Sequence, residues 1–198
     1  MGLNPTYTYG QTPLDGDEKE GLLSNSVTTR WELDQLEQLN IEKAIHWTIH
    51  RKFGEDQILS EEFIKKLHKR MLGDVWRWAG TFRRSDKNLG VEWTRIGVEL
   101  KMLLDDTKYW IRNKTYDPDE IAIRFKHKLV KIHCFPNGNG RHSRLMADIL
   151  IEKVFKREVF SWYGSNMVRP DHIRREYIQA IQQADQGVVG PLLQFARA

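Results

Sequence analysis

Cysteine is nearly missing from this 198-residue chain: Cys134 stands alone, so no disulfide can form within it. The lone thiol suits a reducing, cytoplasmic setting. No apolar run approaches the ~20 residues that a membrane helix needs, which excludes a spanning segment. The opening MGLNPTYTYG lacks the basic-then-apolar layout of a secretory leader. Internal repeats, low-complexity tracts and a linker rich enough to split the chain are absent too, which removes solenoids and tandem domains.

What remains is a globular composition. Hydrophobic residues make up 40% and charged residues 29%, enough for a sizeable core. The net charge is +4. A basic balance suits nucleic acid, an anionic membrane or a small phosphate ligand. The excess gathers between Arg124 and Arg144 and again at Arg169, Arg174 and Arg175. Asp171 and Glu176 interrupt the second cluster, so a solvated helix face is its default reading and nucleic acid is a disfavoured partner.

Residues 1–27 carry scattered glycine and proline and read as an irregular arm with a short turn near Asp17–Leu23. Residues 28–198 read as one mainly α domain, a helical bundle with a small β-hairpin flap. Thr29 and Glu32 form a capping box, opening a helix with Leu33, Leu36, Ile41, Ala44, Ile45 and Thr48 turned inward. Ser60 caps a second helix, with Phe63, Leu67 and Met71 facing the core. Thr94 opens a third. Asp117-Pro118 starts a fourth, with proline at the first helical position. Helices then follow from Arg141 to about Phe155, from Pro170 to Ala184, and from Gly190. The exception is Phe82–Trp93, where a turn-like Lys87–Gly90 between short apolar segments predicts the hairpin.

The chemistry concentrates in His133-Cys-Phe-Pro-Asn-Gly-Asn-Gly-Arg-His-Ser-Arg144. Two glycines just ahead of a helix let backbone N–H groups converge at its positive end, which makes an anion site. Arg141 and Arg144, three apart, share a helix face beside it, and their forks suit phosphate oxygens. His133 ends the preceding helix and suits a general base. Phe135 reads as the buried anchor of the loop. A base, an anion cradle and two arginines describe a phosphate-ester transfer site.

The stretch resembles the Fic motif, His-x-Phe-x-(Asp/Glu)-Gly-Asn-Gly-Arg-x-x-Arg, at His133, Phe135, Gly138, Asn139, Gly140, Arg141 and Arg144. Leu67-His68, Trp78-Ala79-Gly80, Arg83 and Phe125–His133 extend the likeness over about residues 55–160. Thr12-Pro-Leu-Asp and Pro136-Asn137 suggest the subgroup called mobile mystery protein B. The resemblance implies a Fic-type bundle and transfer of AMP from ATP, with Mg²⁺, to a Ser, Thr or Tyr hydroxyl of a target protein. It implies His133 as base, and Asn137, Gly138, Asn139, Gly140, Arg141 and Arg144 around the nucleotide. Lys87, Asn88, Leu89, Gly90 and Val91 become the flap tip on which the target docks by β-augmentation.

Two positions depart from the pattern. Asn137 stands where an acidic metal ligand is usual, and a neutral amide is a weaker partner for Mg²⁺. Cys134 replaces a proline. The family's inhibitory motif, (Ser/Thr)-x-x-x-Glu-(Gly/Asn), is incomplete: Glu20-Gly21 is its single candidate, with Gly16 at the hydroxyl position. A separate inhibitor or antitoxin protein is the alternative, in a toxin-like or regulatory setting. Competing functions are transfer of another nucleotide, a phosphate or phosphocholine on the same fold, or a silent nucleotide-binding partner protein. His46 and His50, four apart, lack a third metal ligand. His142 reads as exposed and His68 as a core histidine. Among the tryptophans, Trp78 and Trp93 are the expected surface candidates.

Overall fold

The computed structural model describes residues 13–24, 26–163 and 171–198. The elements among them are α1 (Gly16–Lys19), α2 (Arg30–Ile49), α3 (Glu55–Ile58), α4 (Glu61–Leu72), α5 (Ile96–Asn113), α6 (Pro118–Ile132), α7 (Asn139–Lys153), α8 (Asp171–Asp185) and α9 (Gly190–Arg197). The mainly helical expectation is met. Short α3 adds to the expected helices, and Pro170 lies outside the described residues. No described helix is long and apolar enough to cross a membrane.

Local chemistry sets the helix starts. The Thr29 side chain accepts the Glu32 N–H at 3.2 Å while Glu32 returns to the Thr29 N–H at 3.0 Å. Ser60 accepts from Phe63 N–H, and Asp117 from Asp119 N–H ahead of Pro118.

Helix α6 is the centre. Ile121, Ala122, Ile123 and Phe125 are all at most 1% exposed, so it is enclosed on more than one side. Helices α5, α7 and α9 pack around it, and α2 covers α4. On α2 the buried line runs through Leu33, Glu37, Asn40, Ile41, Ala44 and Thr48. Leu36 and Ile45, expected inward, are exposed. Each lies roughly a quarter-turn off that line at 3.6 residues per turn. Trp31, not Trp78, is the most exposed tryptophan, at 70%.

The expected hairpin does not form. No described residue of 82–93 is in a strand, and the segment passes through bends into a 3-10 turn at Trp93–Arg95. The β structure among the described residues is an isolated bridge between Leu22 and Trp76. That bridge belongs to the arm. Arg77 N–H donates to Gly21 O at 2.8 Å, and Leu23 N–H to Val75 O at 2.9 Å. A Cβ at Gly21 would stand 2.5 Å from Trp78 Cδ1, so only glycine allows this approach. Residues 13–24 are thereby laid along the strand-less segment that leads into the flap, while 1–12 lie outside the described residues.

Candidate active site

Helix α6 runs into the site and α7 runs out of it. The first ends at His133, whose backbone is left-handed (φ 57°). Such a turn normally falls to glycine and costs a side-chain-bearing residue about 1 kcal/mol or more. Residues 134–138 connect the helices, and Gly138 turns the chain into α7 with φ 78°. A Cβ there would meet Leu72 Cδ1 at 2.6 Å. At Gly140 an added Cβ would meet nothing within 4 Å, so this side of the turn is open. The helical ladder of α7 begins with His142 N–H on Gly138 O, leaving the first-turn amides ahead of it as the anion-facing end.

The loop is pinned from inside. Asn139, 4% exposed, accepts Phe135 N–H on Oδ1 at 3.0 Å and donates through Nδ2 to Phe135 O at 2.7 Å. Its amide therefore clamps the loop, and both ends are committed to Phe135 rather than turned to a phosphate. Phe135 is fully buried, as expected of an anchor. His68 stacks on it with ring centroids 3.7 Å apart. Its Nδ1 accepts Gly80 N–H at 3.0 Å, so Nε2–H donates to Asn137 O, also at 3.0 Å. Burial holds His68 well below the usual imidazole range, hence neutral.

His142 is not exposed, contrary to the sequence expectation. It is 1% exposed, bonds Ile64 O at 3.0 Å, and burial pushes it down to about 3. The reason is that α7 packs this face on α4. Cys134 is buried and its thiol is pushed up to about 12, which removes it as a nucleophile.

His133 is 7% exposed. Burial, then the Arg83 guanidinium, lowers its imidazole to about 4, against a backbone hydrogen bond with Val130 that favours the charged form. The ring is thus unprotonated at neutral pH, the state a proton acceptor requires. Arg141 pairs at 2.6 Å with Glu37 of α2, a carboxylate 3% exposed that also accepts Trp76 Nε1–H at 2.6 Å. Arg144 lies over the Tyr177 ring of α8 at 5.6 Å. Glu37 is a charged residue on an apolar face, and its spacing of four from both Leu33 and Ile41 is the sequence signal that marks it as buried. Glu20, the inhibitory candidate, caps the end of α1 and is exposed.

With this geometry in view, comparison with known proteins points to one family: the Fic/DOC family profile matches residues 58–151, just under half of the chain. That stretch is Fic-like. The protein adenylyltransferase Fic of Aedes aegypti is 27% identical over 163 residues, covering 80% of this chain and 31% of that protein. Its Drosophila melanogaster counterpart is 29% identical, over 67% of this chain and 26% of that protein. The chain thus spans about a third or less of those relatives. Among solved structures, Caenorhabditis elegans Fic-1 (residues 134–508) superposes with a TM-score of 0.68 at 22% identity, over 90% of this chain and 51% of that one. BepC of Bartonella tribocorum, with bound AMPPNP, gives 0.68 at 15% identity, over 92% and 97%. At these identities the two structures establish the shared fold.

The flap segment, residues 82–93, rests on the backbone around His133. Arg83 N–H donates to Cys134 O at 3.0 Å and Val91 N–H to Ile132 O at 3.3 Å. A Cβ at Gly90 (φ 105°) would stand 2.7 Å from His133 Cβ, so the flap meets the histidine through a bare backbone. Lys87, expected on the docking tip, is turned away. Its ammonium sits 2.6 Å from both Asp15 and Glu18 of the arm, and its side chain is 3% exposed. Asn88 and Gly90 are exposed, Leu89 is 50% exposed, Trp93 42% exposed, and Val91 half-buried.

Proposed function

We propose that this Fic-like domain transfers AMP from ATP to a Ser, Thr or Tyr hydroxyl of a target protein. One observation carries the reading: a buried, unprotonated His133 closes α6, and a short loop leads from it to the glycine turn that opens α7, the helix that carries Arg141 and Arg144. The relatives named as protein adenylyltransferases and the AMPPNP-bound BepC support the choice of nucleotide.

In this reading, the first-turn amides of α7 receive the phosphates, and Arg141 and Arg144 neutralise those of the leaving group. His133 takes the proton of the target hydroxyl. Its oxygen bonds the α-phosphorus, the bond to the bridging oxygen breaks, and pyrophosphate departs with the electron pair. Exposed flap residues Asn88, Leu89 and Gly90 offer backbone to an extended target segment. A protein-built Mg²⁺ site does not fit the residues present. Asn137 supplies one neutral oxygen, and that oxygen already accepts Gly138 N–H at 2.6 Å. Mg²⁺ would therefore enter on the phosphates of ATP, with Asn137 beside it. The buried free thiol Cys134 supports a cytoplasmic setting, and a separate inhibitor protein remains part of the reading.

The test uses ATP labelled at the α- or the γ-phosphate, Mg²⁺ and a protein extract. Protein-bound α-label that falls by about 10³-fold or more in His133→Ala supports AMP transfer. Label from the γ-position alone overturns it in favour of phosphorylation. Asn137→Asp should raise the incorporation rate and sharpen its Mg²⁺ dependence; an unchanged dependence defeats the account of Asn137.

A further inference from the structure

Arg83 is buried at 2%, deeper than a lone guanidinium normally settles. Among the described residues its ion-pair partner is Asp86, 3.5 Å away with a largely exposed side chain. A salt bridge of that kind does not offset such burial. What surrounds the guanidinium is carbonyl oxygen from two separate segments. Nε donates to His133 O at 2.7 Å and Nη2 reaches Ile132 O at 3.5 Å, both at the end of α6. Nη1 donates to Ser85 O at 2.8 Å and Nη2 also to Val91 O, both in the flap.

Each half of this arrangement has a physical cause. The last carbonyls of a helix lack intrahelical partners and carry its negative dipole, so a cation with several donors is well placed there. In a hairpin, the flap carbonyls would pair across a ladder. Here the guanidinium takes those of Ser85 and Val91 instead. Only a rigid fork of five donors can serve four carbonyls at once; an ammonium cannot.

We infer that Arg83 is a positioning residue that couples the flap to the catalytic histidine, fixing with one side chain both the left-handed backbone of His133 and the height of the flap above it. The inference rests on the AMP-transfer reading only for its consequence. The target segment docks at the right distance from His133 because Arg83 sets the two surfaces together.

Two variants of the full chain test this, Arg83→Lys and Arg83→Met. Three readouts are taken: amide hydrogen exchange, imidazole titration of His133 by NMR, and α-label incorporation into a protein extract, with AMPPNP affinity as control. The expectation for both variants is that exchange at Gly90 and Val91 quickens at least tenfold. Incorporation should fall at least tenfold, while AMPPNP affinity stays within about threefold of the parent. His133 should titrate about half a unit or more higher in Arg83→Met than in Arg83→Lys, which keeps the charge. Arg83→Lys carries the test alone if the methionine variant does not fold. Unchanged exchange at 90–91 in a folded variant overturns the inference. So does faster exchange with undiminished incorporation, because flap height would then not matter. If the parent itself gives no α-label, the AMP-transfer reading fails, and exchange and titration still decide whether Arg83 couples flap and histidine.

Discussion

Two segments meet at His133, and they are held by opposite means. The loop 134–138 is fastened from within. Asn139 bonds both backbone groups of Phe135, and the Phe135 ring lies against His68 with His142 edge-on at 5.3 Å. The flap packs Phe82 and Val91 on the core and makes two backbone bonds to it, but its tip is held by charged groups. These are the guanidinium of Arg83, the ammonium of Lys87 and the Asp86 carboxylate, which accepts Trp93 N–H at 2.8 Å. Under the proposed function the difference suits a division of labour. A phosphate cradle would gain from being preorganised, since its dipoles need no rearrangement during reaction. A docking segment would have to admit a second chain, and the arm's carboxylates on Lys87 are contacts that can be exchanged for others.

The largest test of this contrast is Asn139→Ala. It leaves Phe135 N–H and O buried without partners, at roughly 1–3 kcal/mol per group, so about 3 kcal/mol of stability should go. AMPPNP binding should fall with it, because the turn at Gly138–Gly140 loses its brace. Chemical denaturation and calorimetry would show both. A variant that keeps full stability would mean that the loop is not self-fastened.

A second test addresses the rigid side through pH. Asp148 lies one turn beyond Arg144 on α7, accepts Phe160 N–H and Trp162 Nε1–H, and is raised to about 7 by burial. A carboxyl whose folded pKa exceeds its unfolded value contributes stability at low pH that is lost as pH rises through about 7. The buried histidines act in the opposite direction. His133, at about 4, and His142, at about 3, bind their protons more weakly folded than unfolded, so stability falls as pH drops below about 6.5. Together they predict a maximum near neutrality. Asp148→Asn keeps an acceptor for Trp162 and removes the alkaline decline. Its stability relative to the parent should be on the order of 2 kcal/mol more favourable at pH 9 than at pH 5.5, read as a larger melting-temperature difference at pH 9. The same difference at both pH values would show that the carboxylate is ionised throughout.

The loop was more legible in sequence than the flap, and the reason is distance along the chain. Glycines 138 and 140, Arg141 and the caps at Thr29, Ser60 and Asp117 act within a few residues, so spacing alone exposes them. The flap is organised by partners far away: Arg83 bonds His133, 50 positions on, and Lys87 bonds Asp15, 72 positions back. A local reading of Lys87–Gly90 could only see a hairpin turn. The same limit hid Glu37, which meets Arg141 across 104 positions. Asn139 misled for another reason. Its place between two glycines suggests contact with phosphate, yet an amide at the start of a helix can equally turn back and clamp its own loop.

The smallest expected effect comes from the arm, and it separates the two segments most cleanly. Lys87 is buried between Asp15 and Glu18, and the ammonium beside Asp15 holds that carboxyl below its ordinary value. A depressed carboxyl contributes stability above its unfolded pKa and loses it as pH falls through the folded one, so this clasp should open only below about pH 4. Asp15 is itself more than half exposed, which limits what its pair is worth. Asp15→Asn together with Glu18→Gln should therefore cost only about 1 kcal/mol globally. Locally the change should be plain, with amide exchange at Ser85–Gly90 several-fold faster and exchange in the first turns of α7 unaltered. Loosening of α7 to the same degree would show that arm, flap and loop open as one unit, and the contrast between a self-fastened cradle and a strapped flap would be lost.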